Sequence, residues 1–329
     1  MSSTRNILGA KDLPRAQTSL LAWYRANQRQ LPWRETRDPY RIWVSEMMLQ
    51  QTRVTAVLDY YRRFLARFPN VQELAAASEA DVLAAWSGLG YYRRARAMHA
   101  AARKIVQELD GKFPRTAEEL EKLPGIGRYT AAAIASIAYD QPVAVVDGNV
   151  ERVLSRLLGK DLRDRSETWE YAEQFLARTS SGDWNQAVME LGATVCLPVE
   201  PKCLVCPLQR WCADPGREAK KAQGVRHKKE LFFQLASRPT SVYLVQRPAT
   251  EKLMAGMWEL PSCAVNAGRT IVHCARHSIT NSDYSVTVVE ATSKDVSGGK
   301  WSPLKSLRQL PITGLTRKIL RAKNLWPKE

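Results

Sequence analysis

No run of apolar residues in this chain approaches the length of a membrane span. The first ten residues, Met1 to Ala10, hold no apolar core of a signal peptide and no Arg-rich amphipathic stretch. An export signal, a transit peptide and a membrane helix are therefore not expected, and the protein is expected inside the cell, in the cytoplasm. Disulfides are rare there, so the six cysteines need another role. Acidic residues are also scarce: 33 Asp and Glu stand against 49 Lys and Arg, a net charge of +16. Such an excess calls for a polyanionic partner, with nucleic acid first and an acidic membrane surface second. Hydrophobic residues at 45% exclude a disordered basic tail. Ten tryptophans set the chain apart from histone-like or ribosomal basic proteins. Internal repeats and low-complexity tracts are missing.

What is present divides in two, as the length of 329 residues suggests. Residues 15–215 read as mostly helical. The spacing predicts one long helix from Pro39 to Phe68, capped by Asp38 with proline in its first turn, with Trp43, Met47, Val54, Leu58, Tyr61 and Leu65 at helical period. Further helices are predicted over 79–86, 93–109, 117–123, 129–138, 148–158, 167–178 and 184–195. Residues 216–230 are charged, lack an apolar face and read as a linker. Beyond them the period changes. Residues 241–246, 271–273 and 284–289 read as strands, and 312–322 as a closing helix. The predicted organisation is a mainly α region over 1–215, a linker over 216–230 and a small α+β domain over 231–329.

Cys196, Cys203, Cys206 and Cys212 form C-x6-C-x2-C-x5-C. Four thiolates so close in sequence can wrap one metal centre, either zinc or a [4Fe–4S] cluster. The wide outer arms favour the cubane over a tight zinc knuckle. Lys202 and Arg210 in the same loop suggest contact with phosphate. Leu123-Pro124-Gly125-Ile126-Gly127 separates two predicted helices. Gly125, Ile126 and Gly127 would turn the chain tightly and aim backbone N–H groups and a helix dipole at a phosphate oxygen.

The LPGIG hairpin, then Val146-Asp147-Gly148-Asn149-Val150, then the four cysteines together resemble the endonuclease III/MutY family of helix-hairpin-helix DNA glycosylases. The resemblance covers roughly residues 15–215. Trp43-Val44-Ser45-Glu46-Met47-Met48-Leu49-Gln50-Gln51-Thr52 resembles the MutY branch in particular. The resemblance implies a six-helix barrel plus iron–sulfur region carrying a [4Fe–4S] cluster. It implies a monomeric monofunctional enzyme of base excision repair, at the nucleoid, that flips adenine out of double-stranded DNA where it faces 8-oxoguanine or guanine and hydrolyses it off.

Cleaving that glycosidic bond is helped by protonating the base and by placing a carboxylate beside the developing oxocarbenium ion. Glu46 lies on an apolar helix flank near Ile42 and Leu49, where desolvation would raise its pKa and suit it to act as the acid. The resemblance gives it adenine N7 as its target. Asp147 is a helix N-cap by local pattern and the sugar-facing carboxylate by resemblance, with Asn149 its companion. Tyr129 stands where bifunctional relatives carry a nucleophilic lysine. A phenol forms no Schiff base with the sugar, so Tyr129 is assigned to positioning the sugar or Asp147. By the same resemblance Leu31, Trp33 and Arg34 belong to the adenine pocket, and Gln51 and Tyr91 insert into the duplex. Gln186 falls where the family commonly has an adenine-reading glutamate.

Residues 231–329 resemble the MutT-like (Nudix) domain of MutY. Gly256-Met257-Trp258-Glu259-Leu260-Pro261 fits its GxWExP opening. The acidic metal-binding helix of a hydrolytic Nudix enzyme is missing, since residues 266–280 contain no acid, so pyrophosphate hydrolysis is not expected. Ile279, Thr280 and Asn281 are the best match to the family's loop for 8-oxoguanine, although the family pattern is Phe-Ser-His. The neighbouring readings are a thymine or oxidised-pyrimidine glycosylase and, outside enzymes, an iron–sulfur DNA-binding scaffold.

Overall fold

The computed structural model describes residues 8–162, 164–217, 227–251, 253–264, 268–279 and 282–327. Contacts divide the chain into two compact units. One comprises Met1–Tyr61 with Ala101–Lys221, the other Arg62–Ala100 with Ala222–Glu329. The second unit thus takes in helical residues 62–100, which the sequence reading had assigned to a continuous region 1–215.

The first unit contains α1 (Asp12–Asn27), α2 (Pro39–Leu49) and the start of α3 (Val54–Arg67). After the second unit has taken α4 (Val71–Ala76), α5 (Glu79–Trp86) and the start of α6 (Arg93–Glu108), the chain continues through α7 (Ala117–Leu120), α8 (Arg128–Tyr139), α9 (Gly148–Leu158), α10 (Arg165–Phe175) and α11 (Ser181–Thr194). Helix α8 is the centre of the unit: every residue from Thr130 to Ile137 is buried. A helix apolar all round belongs inside a bundle, and α2, α7 and α11 pack against it. Asp38 caps α2 through the Tyr40 N–H, with Pro39 at the first position.

The long helix expected over 39–68 is broken. Helix α2 ends at Leu49, Gln51 adopts φ +58° and α3 starts at Val54. The break resets the helical phase. The buried stripe of α3 is Val57, Tyr61 and Phe64, continued by Phe68 just past its end, while the expected Leu58 and Leu65 are half-buried.

In the second unit a sheet runs in the order β3-β2-β1-β5-β4, with β6 also paired to β2. The strands are β1 (His227–Arg238), β2 (Ser241–Gln246), β3 (Trp258–Glu259), β4 (Ile271–Ile279), β5 (Ser282–Ala291) and β6 (Gly299–Pro303). Strands β1 and β5 are parallel, in register from His227↔Ser282 to Ala236↔Ala291, and the other pairs are antiparallel. Strand β1 begins at His227, inside the stretch read as linker. Its first four residues are exposed and polar, three of them charged, and Phe233 to Ala236 are buried without alternation. A strand covered on both faces carries no period-two signal. Helix α12 (Gly314–Ala322), capped by Thr313, lays Leu315, Ile319 and Leu320 into the core with Phe233, Leu244 and Val288. Where a hydrolytic Nudix enzyme needs its acidic helix, this chain has strand β4.

Candidate active site

A cleft of about 890 Å³ opens within the first unit. Its lining includes Leu31, Trp33, Arg34, Glu46, Gln51, Gly127, Tyr129, Asp147, Asn149 and Gln186, so ten residues singled out from separate sequence motifs meet in one place. Tyr91 belongs to the second unit. Gly125 takes φ +74° in the hairpin turn and Gly127 heads α8 without a side-chain cap. The Ile126 side chain is buried, so only the hairpin backbone is offered outward there. Ile279 closes β4, and Thr280 and Asn281 lie outside the described residues.

Glu46 projects from α2 and is 6% exposed. Burial pushes its carboxyl up to about 7, the nearby Asp147 adds to the rise, and a Tyr129 hydrogen bond and the charge of Arg34 oppose it. The Tyr129 hydroxyl donates to Glu46 Oε2 at 2.9 Å and also contacts Met189 Sδ at 3.4 Å. Tyr129 therefore holds Glu46, a contact that the expected role toward the sugar or Asp147 does not include. Burial and the Glu46 charge keep its own hydroxyl protonated, well above the usual phenol range.

Asp147 caps α9. Its Oδ1 accepts from the backbone N–H of Asn149 at 2.9 Å and of Val150 at 2.8 Å, and its Oδ2 accepts from Asn149 Nδ2 at 3.0 Å. Both carboxylate oxygens are thus fixed by the helix they begin. Asn149 is held in turn by Arg152, whose guanidinium donates to Asn149 Oδ1 and to the Gly192 carbonyl, both at 2.7 Å. A Cβ on Gly192 would stand 2.6 Å from Asn149 Cβ, so the close approach of α11 to α9 requires glycine there.

Glu190 was missed. Its side chain is fully buried in the cleft wall, one turn beyond Gln186 on α11. Arg29 grips it with Nε and Nη2, each at 2.7 Å, and Arg34 Nη2 joins at 2.7 Å. Burial alone would raise this carboxyl, but the two guanidinium groups hold it down to about 2. Gln186 and Glu190 both line the cleft, and Glu190 is the one of the two that carries a carboxyl. A lone acid amid Ala187, Val188, Met189 and Leu191 was the available signal, because a buried acid needs a paired cation.

Cys196, Cys203, Cys206 and Cys212 line one small cavity with Arg156, Pro201 and Gln209. Arg156 Nη1 lies 3.1 Å from Cys196 Sγ. Burial, together with the charges of the other cysteines, pushes the Cys206 thiol up to about 11, and Cys212 is raised in the same way. Thiolates in this setting need positive charge among them. Among the described residues, no three His, Cys, Asp or Glu groups are drawn together into a single-ion site. No helix among the described residues is long and apolar enough to cross a membrane.

Comparison with known proteins adds three findings. The profile of the HhH-GPD superfamily of base excision DNA repair proteins matches residues 44–178. An adenine DNA glycosylase of Mus musculus is 50% identical over 215 residues, covering 61% of this chain and 42% of the mouse protein. One of Arabidopsis thaliana is 36% identical over 313 residues, covering 79% of this chain and 49% of the plant protein. The plant match takes in more of the chain than residues 1–215 can supply. The chain spans about half the length of these curated relatives. Among solved structures, a thermostable thymine-DNA glycosylase superposes with TM-score 0.58 at 28% identity, over 62% of this chain and 96% of that one. Endonuclease III in a non-covalent DNA complex gives 0.55 at 22%, over 63% and 96%, a likeness of fold.

Proposed function

The chain belongs to the HhH-GPD superfamily of base excision DNA repair proteins, and we propose that within it the chain is a monofunctional adenine DNA glycosylase acting on adenine opposite 8-oxoguanine or guanine. One observation carries this reading. Glu46 is a buried carboxyl poised near neutrality in the cleft that also presents Asp147 with both oxygens fixed. The cleft lining, among the described residues, contains no lysine.

The adenine nucleotide leaves the stack and enters the cleft. Glu46 donates its proton to adenine N7, and the bond from N9 to the sugar breaks with its electron pair moving to the base. The fixed Asp147 carboxylate stabilises the oxocarbenium ion that remains. Water then adds to the anomeric carbon and gives up a proton, leaving an abasic site. Without an amine to form a Schiff base, the strand stays intact. Arg34, pinned by Glu190, forms a polar wall beside Leu31 and Trp33, which suits a planar heterocycle.

The four cysteines suit a [4Fe–4S] cluster. They surround one cavity, and four thiolates are the ligand set that such a cluster takes. Bound, the cluster would neutralise the thiolates and tie residues 196–212 into one loop. The net charge of +16 and the glycine hairpin suit double-stranded DNA. Recognition of 8-oxoguanine falls to the sheet domain, with Ile279, Thr280 and Asn281 as candidates.

Single-turnover base release from labelled duplexes tests the reading, with A·8-oxoguanine, A·G, T·G and thymine-glycol substrates run with and without alkali. Adenine release with strand breakage only after alkali is the expected result. Release of thymine, or breakage without alkali, would overturn it.

A further inference from the structure

The segment Ser87 to Tyr92 joins α5 to α6 in an unusual backbone. Gly88, Gly90 and Tyr91 have φ of +103°, +74° and +49°. Glycine accepts this region freely, but a bulky aromatic residue there is a true outlier. Tyr91 is also 46% exposed. An exposed ring on a strained backbone persists only when its surroundings over-determine it. From within, Trp86 Nε1 donates to the Gly90 carbonyl at 3.1 Å, the Gly88 N–H donates to the Tyr92 hydroxyl at 3.1 Å, and the Arg94 guanidinium lies 5.4 Å from the Tyr91 ring centroid.

The remaining support comes from the sheet part of the same unit, at both ends of the segment. Ser87 Oγ donates to the Ile312 carbonyl at 2.6 Å, and Arg317 Nη1 donates to the Ser87 carbonyl at 2.5 Å. At the other end Arg96 donates to the Ala255 carbonyl. Both anchor points belong to one framework. Trp258 of β3 exchanges backbone hydrogen bonds with Pro311 at 2.8 Å and Thr313 at 2.9 Å, on either side of Ile312. The GxWExP strand thus links both anchor points.

We infer that residues 255–258 and 312–317 are a positioning device for Tyr91: Ser87, Ile312 and Arg317 hold the strained loop so that its ring stands ready to enter the duplex. This rests on reading Tyr91 as the residue inserted into DNA. Ser87 and Arg317 touch no substrate and act through Tyr91. The sheet domain then contributes to every encounter with duplex DNA, whatever base it recognises.

The test is a double-mutant cycle in the full chain, read by fluorescence of 2-aminopurine placed beside 8-oxoguanine in an A·8-oxoguanine duplex. Wild-type binding should brighten the probe as the step unstacks, and Tyr91→Ala should remove most, but not all, of the increase. Arg317→Ala and Ser87→Ala should each lose about threefold or more of the binding-induced signal, and neither should lower it further when added to Tyr91→Ala. Ser87→Ala deletes a single hydroxyl and carries the same test should Arg317→Ala not fold. Full signal in both single variants, or losses that add to that of Tyr91→Ala, would overturn the inference. An unchanged signal in Tyr91→Ala alone would instead remove the reading of Tyr91 as the inserted residue, and the inference with it.

Discussion

Two glutamates are buried in the same cleft and are driven in opposite directions. Glu46 sits on α2 with a neutral phenol as its hydrogen-bond partner, and its carboxyl is pushed up to about 7. Glu190 sits on α11 between Arg29 and Arg34, and its carboxyl is held at about 2. Desolvation acts upward on both. What decides the outcome is whether guanidinium groups hydrogen-bond the buried carboxylate, as they do at Glu190 and not at Glu46. One corner of the cleft can therefore hold and release a proton near neutrality, while the other is a permanent anion that fixes two arginines. The first has the property of an acid catalyst; the second has that of a wall.

The largest expected effect breaks the first half of this comparison. Glu46→Gln should lower single-turnover adenine release by about 10²–10⁴-fold while retaining affinity for the A·8-oxoguanine duplex. Wild-type turnover would remove Glu46 from the mechanism. The same variant reads the electrostatics through stability. The folded state binds a proton at Glu46 more tightly than the unfolded state, whose glutamate titrates near 4.5. Stability is therefore lost as pH rises from about 4.5 through 7, and Glu46→Gln should be more stable than the parent at pH 8 by about 1–3 kcal/mol, and no more stable at pH 4. Thermal melts at the two pH values decide it.

Glu190 should behave the other way. Its depressed pKa stabilises the fold above about 4.5, and that contribution is lost as pH falls from 4.5 toward 2. Glu190→Gln leaves two guanidinium groups without their anion, and Arg34 is only 11% exposed. The expected loss is about 2–4 kcal/mol at neutral pH, with weaker substrate binding as Arg34 is freed. A variant as stable as the parent at pH 7 would mean that solvent already carries much of this charge.

The sequence foreshadowed these two glutamates unequally. Glu46 was legible because its apolar flank, Ile42 and Leu49, lies within one turn of the same helix. Glu190 was not, because its partners lie 161 and 156 residues away in sequence, and only folding brings them together. The fold shows the same division. Caps and periodicity mark α5 and α9 to the residue, since those signals are local. The interruption between α2 and α3 rests on a single left-handed residue, Gln51, with no glycine or proline to announce it. Strand β1 was hidden by a charged beginning and a buried end. That residues 62–100 join the sheet in one unit depends on contacts such as Ser87 with Ile312, which no local pattern contains.

The smallest expected effect sharpens the comparison. Tyr129 O–H donates to Glu46 Oε2, a bond that favours the ionised carboxylate and so lowers the Glu46 pKa against its burial. Tyr129→Phe removes that donor and keeps the ring. The Glu46 carboxyl should then titrate above 7. If the protonated form of Glu46 is the one that releases adenine, the rate falls as pH rises through this pKa, and in Tyr129→Phe the fall should move to higher pH by about one pH unit. Glu190 has no contact with Tyr129 among its hydrogen bonds and should keep its acid-side stability loss unchanged. A pH–rate profile whose alkaline limb stays in place would show that another group sets it, and that the phenol holds Glu46 in position without tuning its proton.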